Sequence, residues 1–423
     1  MHIEKAEIKN FKGIKNTEIT FHPGFNLIKG ENGKGKTSIL EALATGLSGY
    51  ITGVRDVEGR NFTNDEVHRD YTRKGDGSLS EDISLPVEVS IDSFIDGYGQ
   101  VSWTRSQGSV SQENAIVTSP DDITRIAEEM SNTSDVELPL VNYQSVGRVW
   151  NQKHNLDNIF REKYLRTVGY VDTFTDSSNR DLFLNWCVKM EQIAWQKKQD
   201  IREYEAVKKA AADFMKYMDG SDLDYAVVYD RQFECIVFDD GKNIVPINEL
   251  SAGYQSLIWM VLDIAYRMAV LNPFKLDDIA KTSGVVLIDE LDMHLHPRWQ
   301  WRIIDSLRKV FPNIQFIAAT HSPILFSSAK DVWIIDVDGD EIEYSESHYG
   351  LDVNSSVERY QGEFVLPDEI SKLYKQFCDA MDKEDYKSAK SALDTIEEKT
   401  APEAEMVTEM KTRYDLETSL LEG

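Results

Sequence analysis

Short uninterrupted apolar runs recur along this chain, and several of them end in polar residues. Residues 25–28, 284–288 and 316–319 have the length and composition of strands that are covered on both faces, as in the centre of a parallel sheet. Residues 38–44 and 257–265 are apolar segments of helical character that follow polar or glycine-containing loops. The pattern predicts an α/β fold with the polar strand ends gathered at one edge of the sheet.

Between these runs the periodicity changes twice. Residues 85–91 and 99–104 alternate between apolar and polar positions, which predicts a β-hairpin, and the polar stretch 55–82 is predicted to be a loop. Residues 183–194 and 204–214 place apolar side chains at helical spacing, which predicts a short helical insert.

The last third of the chain contains a predicted hairpin and then helices. Residues 332–344 resemble two strands around an Asp-Gly turn that carries Asp336, Asp338 and Asp340. A metal or nuclease site there is disfavoured, because a calcium loop would need a glycine at its sixth position and acids are common in turns. From residue 367 the chain is acidic with helical apolar spacing, which fits either a docking or oligomerisation element or a cap on the preceding domain.

A phosphate-binding loop is the most specific motif. The segment 30–37 fits G-x-x-x-x-G-K-[ST] and lies between a predicted strand and a predicted helix, as this loop requires. Glycines let backbone N–H groups surround phosphate oxygens, and the helix N-terminus adds partial positive charge. We therefore predict ATP and Mg²⁺ as cofactors, with Lys36 on the β and γ phosphates and Thr37 on Mg²⁺. The predicted nucleotide-binding residues of this segment are Gly30, Asn32, Gly33, Lys34, Gly35, Lys36, Thr37 and Ser38.

Two adjacent acids end the apolar run 284–288. Asp289 is predicted to hold the Mg²⁺ shell, and Glu290 to orient or deprotonate the attacking water. Alternation along a strand directs the two side chains to opposite sides, so they can serve different partners. The alternative is an ordinary solvated strand end.

Residues 249–256, just before the helical run, resemble the signature motif of ATP-binding-cassette (ABC) ATPases, which include RecF-type and SMC-type heads. The resemblance implies that Ser251 and Gly253 contact the γ-phosphate bound to an opposite subunit, so that ATP joins two heads of a homo-oligomer. Ala252 stands where this family usually has glycine. Without the resemblance, the segment is a turn that caps a helix.

Other family positions follow from the same resemblance. His321, directly after the run 316–319, matches the switch histidine that senses the γ-phosphate and is counted with Glu290 and Lys36 as catalytic. Gln144 is the candidate for the glutamine that touches Mg²⁺ and the attacking water, and Lys12 is a possible nucleotide contact or a surface strand residue. Residues 291–300 match a dimer-contacting loop, and a metal pair within it is disfavoured because no third ligand accompanies its two histidines.

Residues 288–300, 311–323 and 349–355 together resemble a narrower family, the stand-alone bacterial AAA-type ATPases, and most closely the PtuA-type ATPases of Septu anti-phage systems. This resemblance implies a nucleotide-controlled defence complex with a partner HNH nuclease, and nucleic acid reached through the complex. The alternative is a RecF/SMC-like DNA-repair ATPase that acts on DNA directly. A transporter engine is disfavoured by the N-terminal Asn-Phe-Lys pattern at 10–12.

Composition limits these hypotheses. The net charge of −27 argues against a surface that generally coats DNA, although a local basic groove or a basic protein partner remains compatible. No apolar segment approaches the ~20 residues of a membrane span, and the three scattered cysteines fit a reducing compartment, so a cytoplasmic location is expected.

The predicted fold is an α/β ABC-type (RecF/SMC-like) phosphate-loop ATPase head with a β-rich lobe, a short helical insert and a C-terminal helical extension. We predict the first part of the head at 1–172, the insert at 173–220, the second part of the head at 221–360 and the acidic helical tail at 361–423.

Overall fold

The structure, a computed structural model, divides the chain into two compact units, Met1–Leu351 and Asp352–Gly423. The residues that it describes are 1–75, 78–109, 116–149, 165–175, 180–220, 223–351, 355–356, 368–400 and 405–419. The predicted boundary between 360 and 361, the end of the 349–355 motif at 352–354 and the last four residues of the tail lie outside this described part.

The strands are given in the order in which they occur along the chain. They are β1 (His2–Phe11), β2 (Ile14–Thr20), β3 (Phe25–Lys29), β4 (Arg69–Arg73), β5 (Leu79–Ile83), β6 (Val87–Ile95), β7 (Gly99–Gln107), β8 (Ile116–Ser119), β9 (Leu140–Gln144), β10 (Ala226–Asp230), β11 (Cys235–Asp239), β12 (Ile244–Pro246), β13 (Gly284–Ile288), β14 (Ile314–Ala319), β15 (Val332–Asp338) and β16 (Glu341–Glu346).

The helices connect and cover these strands. They are α1 (Lys36–Ile51), α2 (Asp122–Asn132), α3 (Arg180–Lys197), α4 (Arg202–Asp219), α5 (Ala252–Leu271), α6 (Pro297–Gln300), α7 (Ile303–Val310), α8 (Pro323–Ser327), α9 (Asp368–Asp382), α10 (Tyr386–Lys399) and α11 (Glu405–Ser419).

A six-stranded sheet of order β16-β15-β3-β14-β13-β9 forms the centre of the first unit. Strands β15, β3, β14, β13 and β9 are parallel, and only β16 is antiparallel to its neighbour. Every residue of β13, β14 and β9 is buried, because these apolar runs are covered on both faces. The carboxyl ends of β3, β13, β14 and β9 therefore meet at one edge, where the polar residues after each strand come together.

The predicted hairpin belongs to a five-stranded antiparallel sheet of order β2-β1-β6-β7-β8, and β6 and β7 pair from Val87–Gln107 to Ile95–Gly99. Helix α1 packs closely on this sheet. The indole of Trp103 donates to the carbonyl of Gly46 at 2.8 Å, and a Cβ at Gly49 would lie 2.6 Å from the same indole nitrogen. Glycine at these helical positions thus brings the helix after the phosphate loop against the β lobe.

The loop predicted over 55–82 is wrong in part, because β4 and β5 form an antiparallel hairpin there. Its strands are mostly exposed, and Glu81 accepts hydrogen bonds from Arg69 and Tyr71 across the pair. Polar contacts between the strands hold this hairpin together. The sequence therefore lacks the alternation of apolar and polar residues that would predict it.

The predicted helical insert is formed by α3 and α4. Its apolar positions face the long helix α5: the ring of Phe183 packs edge-on against Trp259, and that of Trp186 against Tyr266, at 6.0 and 5.3 Å between centroids. A small antiparallel sheet of order β10-β11-β12 follows the insert.

The second unit contains α9, α10 and α11, whose buried apolar side chains include Phe377, Leu393, Ile396 and Met410. This spacing confirms the predicted amphipathic helices, whereas their docking role stays a prediction. Among the helices that the structure describes, none is long and apolar enough to cross a bilayer.

Candidate functional site

The phosphate loop connects β3 to α1. Gly33 and Gly35 have φ values of 81° and 101°, a backbone region that favours glycine, and Gly35 is the residue that precedes the first turn of α1. The ammonium of Lys36 donates to the carbonyl oxygens of Gly30 at 2.7 Å and Glu31 at 3.0 Å. Lys36 is only 6% exposed, and desolvation lowers the pKa of its ammonium. The loop is therefore shaped around its own lysine, and the contact of Lys36 with phosphate oxygens stays a prediction.

Thr37 and Asp289 bring the loop and the second strand together. The Thr37 hydroxyl lies 3.2 Å from Oδ1 of Asp289, and the N–H of Asp289 donates to the carbonyl of Gln144 at 2.9 Å. A hydroxyl and a buried carboxylate form a hard oxygen donor set, which is the kind that Mg²⁺ prefers. These residues fit the predicted metal.

Glu290 and His321 lie together at the same sheet edge, with 3.4 Å between Glu290 Oε1 and His321 Nε2, and they form an ion pair when the imidazole is protonated. Burial raises the pKa of the Glu290 carboxyl; His321 opposes the rise, and the carboxylates of Asp292 and Asp289 add to it. Glu290 also has φ 48°, an uncommon value for a residue other than glycine, which turns the chain sharply after β13. A carboxylate held this way has the chemistry of a general base.

Asp292 lies beside this site, although the sequence predicts no role for it other than as part of the dimer-contacting loop 291–300. Its Oδ1 accepts hydrogen bonds from the hydroxyl of Thr320 and, at 3.3 Å, from the N–H of His321. It thereby fixes the segment that carries the predicted sensor. Its position two residues after Glu290 is the signal that could have identified it.

Gln144 lies at the end of β9, beside β13. Its side-chain amide donates to Asn142 Oδ1 at 2.6 Å and to Asp263 Oδ2 at 2.8 Å. Asp263 in turn pairs with Arg267 one turn further along α5. Neither Asn142 nor Asp263 was predicted, although an acid and a base four residues apart within an otherwise apolar helix are a recognisable signal.

The signature residues begin α5. Ser251 is exposed and precedes the first turn of the helix, and its carbonyl accepts from the N–H of Gln255 at 2.9 Å. Gly253 packs against the loop after β13, so that an added Cβ would lie 2.2 Å from the carbonyl oxygen of His294. Close packing within the chain accounts for this glycine, and the contact of Ser251 and Gly253 with a second subunit's nucleotide stays a prediction.

Two predicted basic contacts are engaged by acids. The ammonium of Lys12 bonds to the carboxylate of Glu41 on α1, and that of Lys34 lies 2.6 Å from Asp338 Oδ1. Both residues stay predicted nucleotide contacts, as do Asn32 and Ser38.

The metal sites that the sequence analysis disfavoured have ordinary explanations. His296 caps α6 by accepting from the N–H of Arg298 at 3.2 Å. Asp336 pairs with Lys29, and Asp340 accepts from the N–H of Lys15 at 3.0 Å. Within the described ranges, no group of three or more His, Cys, Asp or Glu side chains could hold a metal ion.

Comparison with known protein families gives two matches. The sequence model of a family described as "AAA domain" matches residues 5–219, which is half of the chain, and one described as "AAA domain, putative AbiEii toxin, Type IV TA system" matches 163–327. Together the matched segments span the phosphate loop, the signature segment, Glu290 and His321.

Two curated relatives carry related names. The chain is 29% identical over 336 residues, 76% of its length, to the Septu protein PtuA of Bacillus mycoides. It is 31% identical over 191 residues, 44% of its length, to the Retron Vc95 probable ATPase of Vibrio cholerae. The matched regions span only 38% and 35% of the length of these two relatives.

Among solved structures, an SMC head bound to the C-terminal winged-helix domain of ScpA resembles this chain with a TM-score of 0.50 at 18% sequence identity. The match covers 82% of this chain and 98% of the SMC head. The likeness shows the fold and confirms the predicted architecture of an ABC-type head.

Proposed function

This chain belongs to the AAA domain family, and from that premise we propose that its first unit binds Mg²⁺-ATP at the loop 30–37 and hydrolyses it. The relatives described above also confirm the predicted resemblance to stand-alone bacterial AAA/ABC-type ATPases. The observation that carries the proposal is the convergence of Thr37, Asp289 and Glu290 beside the buried ammonium of Lys36.

Each side chain has a role in this reaction. Lys36 binds phosphate oxygens, and Thr37 and Asp289 would hold Mg²⁺, which would supply positive charge beside the phosphates. Glu290 orients the attacking water and accepts its proton, and His321 keeps the Glu290 carboxylate ionised. The partial burial of Glu290 raises its proton affinity toward the range in which a general base is effective.

Two variants test this site. Lys36→Ala should abolish binding of a fluorescent ATP analogue, because the phosphate charge loses its buried partner. Glu290→Gln should retain the nucleotide and slow hydrolysis by about a hundredfold or more, since a general base typically contributes this much. A Glu290→Gln protein that hydrolyses ATP at the wild-type rate would contradict the assignment of the base.

We further propose that ATP joins two or more heads, with the loop 30–37 of one facing Ser251 and Gly253 of the next. The resemblance of 249–256 to the ABC signature and the exposed position of Ser251 at the start of α5 support this arrangement. In this proposal, the nucleotide state controls assembly.

The names of the relatives, Septu PtuA and a retron ATPase, support a role in anti-phage defence. We propose that the assembled heads control a separate HNH nuclease that carries out the cutting.

A tagged pull-down from the native host tests the partner. Co-purification of an HNH-type nuclease, together with loss of phage protection in cells that carry Glu290→Gln, would support the defence role. If DNA increases ATP turnover by the purified chain in the absence of any partner, the alternative is favoured instead, which is a RecF/SMC-like DNA-repair ATPase.

A further inference from the structure

We infer that Asp263, on α5, is a positioning residue that orients the amide of Gln144 so that its oxygen is presented to the divalent cation of the nucleotide site. The inference rests on the proposed function of that site and gives a role to two residues, Asp263 and Asn142, that lie outside the sequence motifs.

The hydrogen bonds of Gln144 set the orientation of its amide. A primary amide has two N–H donors on its nitrogen, and here the nitrogen lies 2.6 Å from Asn142 Oδ1 and 2.8 Å from Asp263 Oδ2. The nitrogen is thus directed toward these two acceptors, and the amide oxygen toward the other side. Mg²⁺ takes oxygen ligands, so the opposite orientation of the amide would present the wrong atom.

The backbone of Gln144 lies beside that of Asp289, the predicted metal ligand. Gln144 pairs with Ile288 in the parallel register of β9 and β13, and its carbonyl accepts from the N–H of Asp289 at 2.9 Å. Gln144 is 7% exposed, so the hydrogen bonds of its side chain face little competition from water. Gln144 and Asp289 therefore form one rigid part of the sheet edge.

Asp263 is itself held firmly. Its two carboxylate oxygens lie 3.0 and 2.9 Å from Nε of Arg267, and Nη1 of Arg267 donates to the carbonyls of Gly169 and Val171, each at 2.9 Å. Side-chain exposure is 16% for Asp263 and 4% for Arg267. A buried ion pair contributes little net stability compared with apolar side chains. The hydrogen bond that Asp263 accepts from Gln144 is a role for this acid other than stability. The same bond connects α5 to the predicted metal site.

Cation binding provides a direct test that does not depend on turnover. In the full-length Glu290→Gln protein with ATP, Mn²⁺ affinity is measured by electron paramagnetic resonance. We expect Asp263→Ala to weaken Mn²⁺ binding about tenfold, as loss of a residue behind a metal ligand commonly does. Gln144→Ala should weaken it to a similar degree, and the double variant should be no weaker than Gln144→Ala, because Asp263 acts through Gln144.

A matched control removes a different half-buried carboxylate. Glu137→Gln disrupts the pair with Lys275, 2.7 Å away, near the opposite end of β9 and β13, and should leave Mn²⁺ affinity unchanged. If Asp263→Ala does not fold, Asp263→Asn, which keeps the side-chain volume and one acceptor oxygen, should give a smaller loss in the same direction.

Different outcomes test the positioning role of Asp263 and the proposed function of the nucleotide site. Wild-type Mn²⁺ affinity in the folded Asp263 variants, or equal losses in the Glu137→Gln control, would overturn the positioning role of Asp263. Failure of the parent Glu290→Gln protein to bind ATP and Mn²⁺ would overturn the proposed function itself, and the inference with it.

Discussion

The hydroxyl of Thr37 and the carboxylate of Asp289 lie 3.2 Å apart, although 252 positions separate them in the chain. Thr37 is the second residue of the helix after one parallel strand, and Asp289 directly follows another strand, which β14 separates from the first. This contact joins the two predicted parts of the head through a pair of oxygen atoms.

Asp289→Asn should lower the affinity of the head for Mg²⁺-ATP while leaving binding of metal-free ATP nearly unchanged. The reason is that the amide keeps the shape of the carboxylate but loses the charge that a divalent cation requires. Titration of a fluorescent ATP analogue with Mg²⁺ and then with EDTA measures the difference. An equal loss of affinity under both conditions would show that Asp289 supports the loop 30–37 rather than the metal.

The pH dependence of hydrolysis should report the pair of Glu290 and His321. Glu290 must be ionised to accept a proton, and burial raises its pKa, so kcat should fall on acidification at a higher pH than for an ordinary glutamate. His321 lowers the pKa of Glu290, so His321→Ala should raise that pKa further and move the acid limb to still higher pH. Profiles of kcat against pH at saturating Mg²⁺-ATP measure the acid limb of the wild type and that of His321→Ala.

His22→Ala is the control for this prediction, because His22 lies at the amino end of β3, away from the catalytic edge of the sheet. Its acid limb should match that of the wild type. If the acid limb of His321→Ala lies at the same pH as that of the wild type, the side chains of Glu290 and His321 do not interact electrostatically in the working enzyme.

Gly253→Ala should destabilise the first unit. Its new methyl group would lie 2.2 Å from a backbone carbonyl of the loop after β13, and such overpacking typically costs about 1–3 kcal/mol. Thermal unfolding measures the loss. Gly24→Ala, where an added Cβ meets nothing within 4 Å, should melt like the wild type.

Because Gly253 is needed for packing, Ser251 gives the cleaner test of an ATP-joined assembly. Ser251→Arg adds a large cation at an exposed helix start and should leave the fold intact. In the Glu290→Gln background with ATP, it should reduce the oligomer measured by light scattering. Thr72→Arg, which adds the same charge on an exposed strand, should still assemble; loss of assembly in both would indicate a nonspecific effect of charge.

The chemistry of individual segments can be predicted from the order of residues alone. The loop 30–37, the apolar run that ends in Asp289 and Glu290, and the run that precedes His321 were identified because their residues are contiguous and their flanks have the required periodicity. The β6–β7 hairpin and the insert of α3 and α4 were found for the same reason: local alternation or helical spacing is visible within a few residues.

Which distant side chains meet depends on the folded arrangement of strands and helices. The β4–β5 hairpin was missed because polar cross-strand contacts replace the apolar pattern there. Asp292 and Asp263 gained their places from partners that lie 28 and 119 positions away, Thr320 and Gln144. The packing of Gly253 against His294 likewise depends on the approach of α5 to a separate loop. Such contacts are fixed by how the strands order within the sheet, and no local pattern of hydrophobicity records that order.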